Sequence, residues 1–380
     1  MRGVSIIGTG MMRVGKHDSV NMVDFAWPVV KAAMVEAGVT ARDVQIAFCG
    51  SAASGSMAGQ RVLKRLGMTG MPITNVEGAC SSSAIALRQA FAAVANGEVD
   101  YALAFGVDQL NLVGKPPGLV HGTEDWDFAY GLAMPGLYAM RAQRYMYEYG
   151  VTIEQLAKIA VKSKKYGAKN PWAHFQQEVT FEQVMNARMV ADPFTVLHCC
   201  PRSDGASAVV ICASDLAHRH SSKPVKIVAS VQRSGKFMTG YRDMTMPEST
   251  QRAAKFIYEE SGLGPEDIDL VEVHDAFTVN ELLYSDALGF SKPGEAVKLL
   301  EDGDFEVDGK IPLNISGGLI SRGHPLGPSG IAQIVEVTHQ LQGRGGARQV
   351  EGAKLGMTHV TGGGVAGLDH GACTIHILGV

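Results

Sequence analysis

Apolar and polar positions alternate in the same way in two stretches of this chain that lie 224 residues apart. In the first, Pro28–Ala37 has helical spacing, Gly38-Val39-Thr40-Ala41-Arg42-Asp43-Val44 turns, and Gln45–Cys49 is an apolar run. In the second, Arg252–Ser261 leads through Gly262-Leu263-Gly264-Pro265-Glu266-Asp267-Ile268 into the apolar run Asp269–Val273. Each stretch predicts a helix closed by a glycine C-cap, a short turn holding an aspartate, and a buried strand. Gly38 corresponds to Gly262, Asp43 to Asp267 and Ile46 to Leu270. The strand predicted at Val4–Ile7 has a counterpart at Val225–Ser230, and the segment Cys80–Asp108 has one from His324 onward. Each of the last two is a motif residue, a small-residue helix start, a long apolar helix, then a strand and glycine. The chain therefore reads as two copies of one βαβ-rich half, residues 1–223 and 224–380.

Residues from about 112 to 201 have no counterpart in the second half. They hold Lys115-Pro116-Pro117-Gly118, many aromatics and a helical stretch at Ile153–Tyr166. An insertion of that length in a duplicated α/β chain is expected to be a lid or binding subdomain.

With 46% hydrophobic and 19% charged residues, the 380-residue chain has material for a large core, which excludes a disordered chain. The balance of 34 basic and 38 acidic residues leaves no nucleic-acid footprint. No apolar run reaches the ~18 residues of a membrane span. The start, Met1–Gly8, reads as a short strand and glycine, not a signal peptide. Six scattered cysteines without paired spacing fit a reduced, cytoplasmic protein with no metal.

Two glycine patterns resemble a dinucleotide fingerprint, and both fail on context. Gly8-Thr9-Gly10 has Arg13 where the third glycine belongs, and Gly362, Gly364 and Gly367 leave too little chain for a following βαβ unit. No GxSxG elbow of an α/β-hydrolase is present. Cys80, in Asn75-Val76-Glu77-Gly78-Ala79-Cys80-Ser81-Ser82-Ser83-Ala84, meets the start of an apolar helix running to about Ala95. A thiol there faces free N–H groups that favour the thiolate, so it is either a nucleophile or a small buried residue.

His324 lies in the tight loop Ser321-Arg322-Gly323-His324-Pro325-Leu326-Gly327-Pro328-Ser329-Gly330, before a helix at Ile331–Leu341. The repeat sets this loop where Cys80 sits in the first half, so pseudo-twofold halves would bring thiol and imidazole together. His274 closes a buried strand, the place where open α/β sheets present ligands, while Asp275 or Thr278 is a candidate cap for a helix at Val279–Leu288. His198-Cys199-Cys200 resembles a metal ligand set, but with no second pair nearby it reads better as a loop entering the strand Ala206–Cys212. Asn314-Ile315-Ser316 fits a glycosylation acceptor, which a cytoplasmic setting makes irrelevant.

The cysteine loop Asn75–Leu87, the block His274-Asp275-Ala276-Phe277, and Asn314-Ile315-Ser316-Gly317-Gly318 followed by Gly323-His324-Pro325-Leu326-Gly327 together resemble the thiolase superfamily. The similarity is to its sterol-carrier-protein-type branch and to acetyl-CoA acetyltransferase-like relatives, over nearly the whole chain. It implies a five-layer α-β-α-β-α fold with an inserted loop domain that receives coenzyme A as substrate, with no tightly bound cofactor. By resemblance Cys80 is the acyl-accepting nucleophile and His324 its base. His274 and His324 line the site for the thioester enolate, and the turn Gly362-Gly363-Gly364 completes an oxyanion hole with the N–H of Cys80.

Two departures from the family pattern concern one group. Many thiolases carry a second cysteine in a Cys-x-Gly motif near the C-terminus, where this chain has His359-Val360-Thr361-Gly362-Gly363. The sterol-carrier type supplies it from His-Asp-Cys-Phe, and here that position is Ala276. Relatives without it include thiolase-like aldolases and thiolase subunits that work with an accessory chain built of an OB-fold and a zinc ribbon. The resemblance thus implies an acyltransferase that cleaves or forms a 3-oxoacyl-CoA, with a bulky or aromatic acyl group suggested by the Met, Tyr and Trp of the insertion. Its rivals are a retro-aldolase acting on a 3-hydroxyacyl-CoA and a non-catalytic CoA-binding subunit. A homodimer or dimer of dimers is expected. So is a histidine acid in place of the missing thiol, with His274 first, His359 next and Cys373, in a predicted strand Ala372–Leu378, as the weaker candidate.

Overall fold

The computed structural model describes residues 1–111, 125–238, 240, 242–364 and 369–380. Lys115-Pro116-Pro117-Gly118 and Gly367 lie outside them. The first half runs β1 (Val4–Met11), α1 (Met22–Glu36), β2 (Ile46–Gly50), α2 (Ala58–Leu63), β3 (Ile73–Val76), α3 (Ser82–Ala95) and β4 (Tyr101–Gln109). The insertion supplies α4 (Trp126–Ala129), α5 (Met134–Tyr149), α6 (Ile153–Ala168), α7 (Phe181–Met185) and a small hairpin, β5 (Met189–Ala191) and β6 (Phe194–Thr195). Then come β7 (Asp204–Ala213) and α8 (Ser214–Ala217). The rest is β8 (Val225–Arg233), α9 (Glu248–Ser261), β9 (Leu270–Glu272), α10 (Val279–Leu288), α11 (Ala296–Glu301), α12 (Gly318–Ser321), α13 (Ser329–Gln342), β10 (Leu355–Gly362) and β11 (Ala372–Gly379).

Nine of these strands hydrogen-bond in the order β3-β2-β4-β7-β1-β8-β11-β10-β9. The order is a mirror about the short β1–β8 junction, which holds only Ser5–Lys226 and Ile6–Val225. On one flank β1–β7 and β7–β4 are antiparallel and β4–β2 and β2–β3 parallel. On the other, β8–β11 and β11–β10 are antiparallel and β10–β9 parallel, and the place of β3 is held by a single parallel bridge from Val271 to Leu313.

Helices α1 and α2 cover the outer face of the first flank, α3 and α13 lie between the flanks, and α9 and α10 cover the second, giving five layers. Strand β7 shows why the central strands read as unbroken apolar runs: Ala206, Ala208, Val210 and Cys212 pack towards α1, and Val209, Ile211 and Ala213 towards α3 and α13. Gly8 and Gly10 serve this packing. A Cβ on either would stand 2.2 Å from the carbonyl oxygen of Ala33 or Val29, so α1 rests directly on β1 and the dinucleotide-like pattern is a packing device.

The repeated helix ends match closely, with Gly38 and Gly262 both left-handed at φ 62° and 72°. The start of α1 differs from the sequence expectation. It begins six residues before Pro28, because the Asn21 side chain caps it by accepting from the Asp24 N–H at 3.1 Å. Pro28 therefore sits inside the helix and not at its first turn. Among the described residues no helix is long and apolar enough to cross a membrane.

Candidate active site

Strand β3 leads into a single 3-10 turn, Ala79–Ser81, before α3 begins. Ala79 is held at φ 50°, a left-handed conformation that costs a non-glycine residue about 1 kcal/mol or more. Ser82 keeps it there: its Oγ donates to the Ala79 carbonyl at 2.6 Å and accepts from the Gly78 N–H at 3.0 Å. Ser81 ties the turn to β10 by donating to the Val360 carbonyl at 3.0 Å. Cys80 projects from this turn into a cavity of about 440 Å³.

The thiol is not the low-pKa group expected at a helix start. Burial, aided by the Asp108 carboxylate, pushes Cys80 up to about 12, against the pull of the N–H groups of Cys80 itself and of Gly363. Two local facts explain this. Helix α3 starts beyond the cysteine, and the first free N–H of that helix, on Ser83, is taken by the Gly327 carbonyl at 3.1 Å.

His324 meets the thiol, with Nε2 3.2 Å from Cys80 Sγ. Its tautomer follows from the hydrogen bonds behind it. The Ser329 hydroxyl donates to the Pro325 carbonyl at 2.7 Å, so its oxygen accepts from Nδ1–H of His324 at 2.9 Å. Nε2 then carries the lone pair and faces the S–H. Burial, with Arg322 nearby, holds the His324 pKa down at about 3. The resting pair is a neutral thiol and a neutral imidazole, and the proton moves only when sulfur attacks.

His274 stands edge-on to His324, with ring centroids 5.1 Å apart. The reactive atoms of Cys80, His274 and His324 lie within 4.8 Å of one another. Burial and then the neighbouring His324 push His274 well below its ordinary pKa, and its Nδ1 has no partner. Asn280 holds the segment by donating to the His274 carbonyl at 3.1 Å. Asp275 is structural, but not as a cap for α10: its Oδ1 accepts from the Leu319 N–H of α12 at 2.7 Å.

Strand β10 ends at Gly362, and Gly363 follows it. A Cβ on Gly362 would stand 2.0 Å from the Gly78 carbonyl oxygen, so the turn lies against the cysteine loop. Gly363, at φ 61°, bends the chain so that its N–H points at the sulfur. This N–H and that of Cys80 form a pair of donors at the thiol.

His359 and Cys373 are not brought to the cavity. His359 shares a strand face with Thr361, which does line it, but sits one pleat deeper. Its Nε2 bonds the Thr250 hydroxyl at 2.9 Å, its ring lies 4.4 Å from that of Tyr284, and burial holds it at about 3. Cys373 is fully buried beside Thr250, with its thiol raised to about 12 by burial.

Other residues line the cavity that nothing in the sequence placed there, among them Cys200, which reads in the sequence only as part of a loop. Tyr138, from the insertion, stacks on Phe277 at 4.7 Å and bonds His370 Nε2 through its hydroxyl at 2.8 Å. Behind His370 lies Asp369, paired with buried Arg141 at 3.1 Å. Burial opposes the Asp369 charge, yet His370 and Arg141 hold its carboxyl far below the usual range.

Comparison with known proteins accords with this geometry. Residues 4–215 match the family model "Thiolase, N-terminal domain" and residues 231–372 match "Thiolase C-terminal domain-like". The chain is 42% identical to an acetyl-CoA acetyltransferase of Methanothermobacter thermautotrophicus, covering 99% of both chains. It is 41% identical to the benzoylsuccinyl-CoA thiolase subunit BbsB of Thauera aromatica, covering 98% of both. Bovine sterol carrier protein 2 is 36% identical over 94% of this chain and 70% of its own length. Among solved structures, "Ltp2-ChsH2(DUF35) aldolase" superposes with a TM-score of 0.88 at 27% identity, covering 100% of this chain and 98% of that one. Human mitochondrial 3-ketoacyl-CoA thiolase, at 19% identity and a TM-score of 0.74 over 100% of this chain and 98% of that one, shares the fold.

Proposed function

The chain belongs to the thiolase family and is a coenzyme A-dependent acyltransferase, and on that premise we propose that Cys80 carries the acyl group between coenzyme A thioesters. The observation that carries this reading is the 3.2 Å contact of Cys80 Sγ with the unprotonated Nε2 of His324, whose other nitrogen is held by Ser329. In the degradative direction His324 takes the thiol proton and the sulfur adds to the 3-oxo carbon. The N–H groups of Cys80 and Gly363 receive the oxyanion. The C2–C3 bond then breaks, and His274 with His324 holds the oxygen of the departing enolate. A neutral His274 suits this task as a hydrogen-bond donor, but it is a poor acid at neutral pH, so the expected histidine acid loses its support. Coenzyme A finally takes the acyl group from Cys80.

The mirror order of the sheet supports reading residues 1–223 and 224–380 as two halves, with about 112–201 inserted in the first. The wall of Leu137, Tyr138, Phe277 and Leu326 suits a bulky or aromatic acyl group, in keeping with the relative named for benzoylsuccinyl-CoA. We take the protein to work in the cytoplasm, where its six free cysteines would stay reduced. It would do so as a homodimer or dimer of dimers, with an OB-fold zinc-ribbon chain as a further partner. That last reading draws on one relative named as a subunit and one solved complex named for two components.

Intact-mass spectrometry after mixing with a 3-oxoacyl-CoA tests the mechanism. An acyl adduct on Cys80 together with release of a shortened acyl-CoA is expected. Cleavage of a 3-hydroxyacyl-CoA without any adduct would instead favour the aldolase reading, to which the likeness to a solved aldolase lends weight. No adduct and no cleavage would leave a non-catalytic subunit.

A further inference from the structure

The reaction needs a proton at C2 of the departing fragment, and neither family position supplies a thiol to give it: residue 276 is alanine, and residues 360 and 361 are valine and threonine. The segment that follows the insertion fills the gap in space. Cys199 forms an isolated antiparallel bridge with Phe277, and the N–H of Cys200 donates to the Ala276 carbonyl at 2.9 Å. Two residues on, Arg202 bridges to His324, and the Ser203 hydroxyl accepts from the His324 N–H at 3.2 Å. Residues 199–203 therefore stitch the His274 loop to the His324 loop, and of the two thiols in that seam Cys199 donates to the Thr195 carbonyl at 3.6 Å. Cys200 lines the same cavity as Cys80, His274 and His324. His274 is 4% exposed there, and its Nδ1 has no partner.

Resting on the thiolase reading above, we infer that Cys200 is the second catalytic thiol of this enzyme, the acid that protonates C2 of the leaving enolate and the base that then deprotonates coenzyme A. The proton inventory closes. When C2–C3 breaks, its electron pair passes to C2 as the enolate, and the Cys200 S–H proton moves to C2, leaving a Cys200 thiolate. That thiolate takes the proton of the incoming coenzyme A thiol. The coenzyme A sulfur then attacks the Cys80 thioester, and the Cys80 thiolate released recovers the proton held on His324. Burial, aided by neighbouring Cys199 and Cys80, raises the Cys200 pKa, which keeps the group protonated until an enolate as basic as this one forms beside it. The sequence hides the residue because it lies 76 positions before Ala276 and is joined to it only by tertiary pairing.

The test uses the full chain with acetyl-CoA as probe, following solvent deuterium uptake at its C2 and acetylation of Cys80 by intact mass, beside cleavage of a 3-oxoacyl-CoA. Wild type should do all three. Cys200→Ser, nearly isosteric, should still acetylate Cys80 but lose C2 exchange and cleavage by about 100-fold or more, the range of a general acid–base group. The Cys200→Ala, Ala276→Cys double variant should recover at least tenfold over Cys200→Ala, since the thiol returns to the adjoining backbone position. Exchange and cleavage in both Cys200→Ser and Cys200→Ala within about threefold of wild type would overturn the assignment while leaving the Cys80 mechanism standing. Wild type that never acylates Cys80 would overturn both.

Discussion

Asp108 Oδ2 accepts a hydrogen bond from the N–H of Gly327 at 2.6 Å, joining the end of β4 to the loop that carries His324. The same fully buried carboxylate accepts from the Ser51 and Ser54 hydroxyls at 2.9 Å each and from the N–H groups of Ala52 and Ala53. One side chain of the first half thus gathers the loop after β2 and the histidine loop of the second half around the start of α3. Five donors converging on a site with no acceptor need from Asp108 itself explain an ionised carboxylate there, although burial raises its pKa.

Asp108→Asn should therefore lower stability by about 1–3 kcal/mol, because an amide NH₂ would face donors that then lack an acceptor. Activity should fall further than stability alone explains, since the His324 loop loses its anchor. Urea unfolding beside kcat at a temperature where the variant is folded checks this, and unchanged values in both would remove Asp108 from the account.

Cys80→Ala should keep the fold and abolish acyl transfer. The thiol is the group of the cysteine turn that meets His324, whereas the Ser81 hydroxyl is turned to the Val360 carbonyl, and loss of the thiol removes a covalent path worth many powers of ten. Residual turnover above about a tenth of wild type would sink the covalent mechanism. With His324 held at about 3, the acid limb of kcat/KM in wild type should also lie well below the ordinary imidazole value of 6.5. A limb centred near 6.5 would show that another group governs it.

Much of the scaffold was legible because local signals and tertiary structure agree. The glycine caps at Gly38 and Gly262, the apolar runs of β1 and β8, and the small-residue starts of α3 and α13 each follow from spacing alone. The pairing of Cys80 with His324 was legible through the repeat, since equivalent positions in two halves related by the mirror order face each other. Properties set by distant neighbours were not legible. The Cys80 pKa depends first on burial and then on Asp108. The early start of α1 depends on the Asn21 side chain overriding the usual first-turn place of proline. Cys200 and Tyr138 reach the cavity only because the insertion folds back over it, which no periodicity encodes.

Ser329→Ala should lower kcat by about tenfold while leaving KM nearly unchanged. The hydroxyl touches no substrate position on the cavity wall; it fixes which nitrogen of His324 carries the proton, and one such hydrogen bond is worth about 1 kcal/mol. A rise in KM at constant kcat would mean that Ser329 acts on binding instead. Ser329→Thr, which keeps the hydroxyl, should retain more activity than the alanine variant.

The first flank of the sheet ends at β3, which among the described residues pairs only with β2, and Thr74 and Asn75 are exposed. An open edge of this kind calls for a partner strand. Light scattering of active enzyme should give a mass of at least twice the 40.4 kDa chain. Active enzyme that runs only as a monomer would end the dimer proposal.

His376 offers a test of buried-histidine energetics away from the cavity. It lies in β11 at 1% exposure, its Nδ1 meets the Ser230 hydroxyl at 2.9 Å, and its Nε2 has no partner. Burial, with Arg88 nearby, lowers its pKa from 6.5 to about 3. The folded value lies below the unfolded one, so between them the unfolded chain binds the extra proton and this group's contribution grows with pH. It is fully present above 6.5 and is lost as pH falls towards 3. Other buried groups, including carboxyls pushed upward, also titrate in this range, so the total stability curve does not isolate the effect. The difference between wild type and His376→Gln does. That difference should shrink by about 1.4 kcal/mol per pH unit as pH falls from 6.5 to 4.5. Urea midpoints at four pH values measure it, and parallel curves for the two proteins would show that His376 takes up no proton on unfolding.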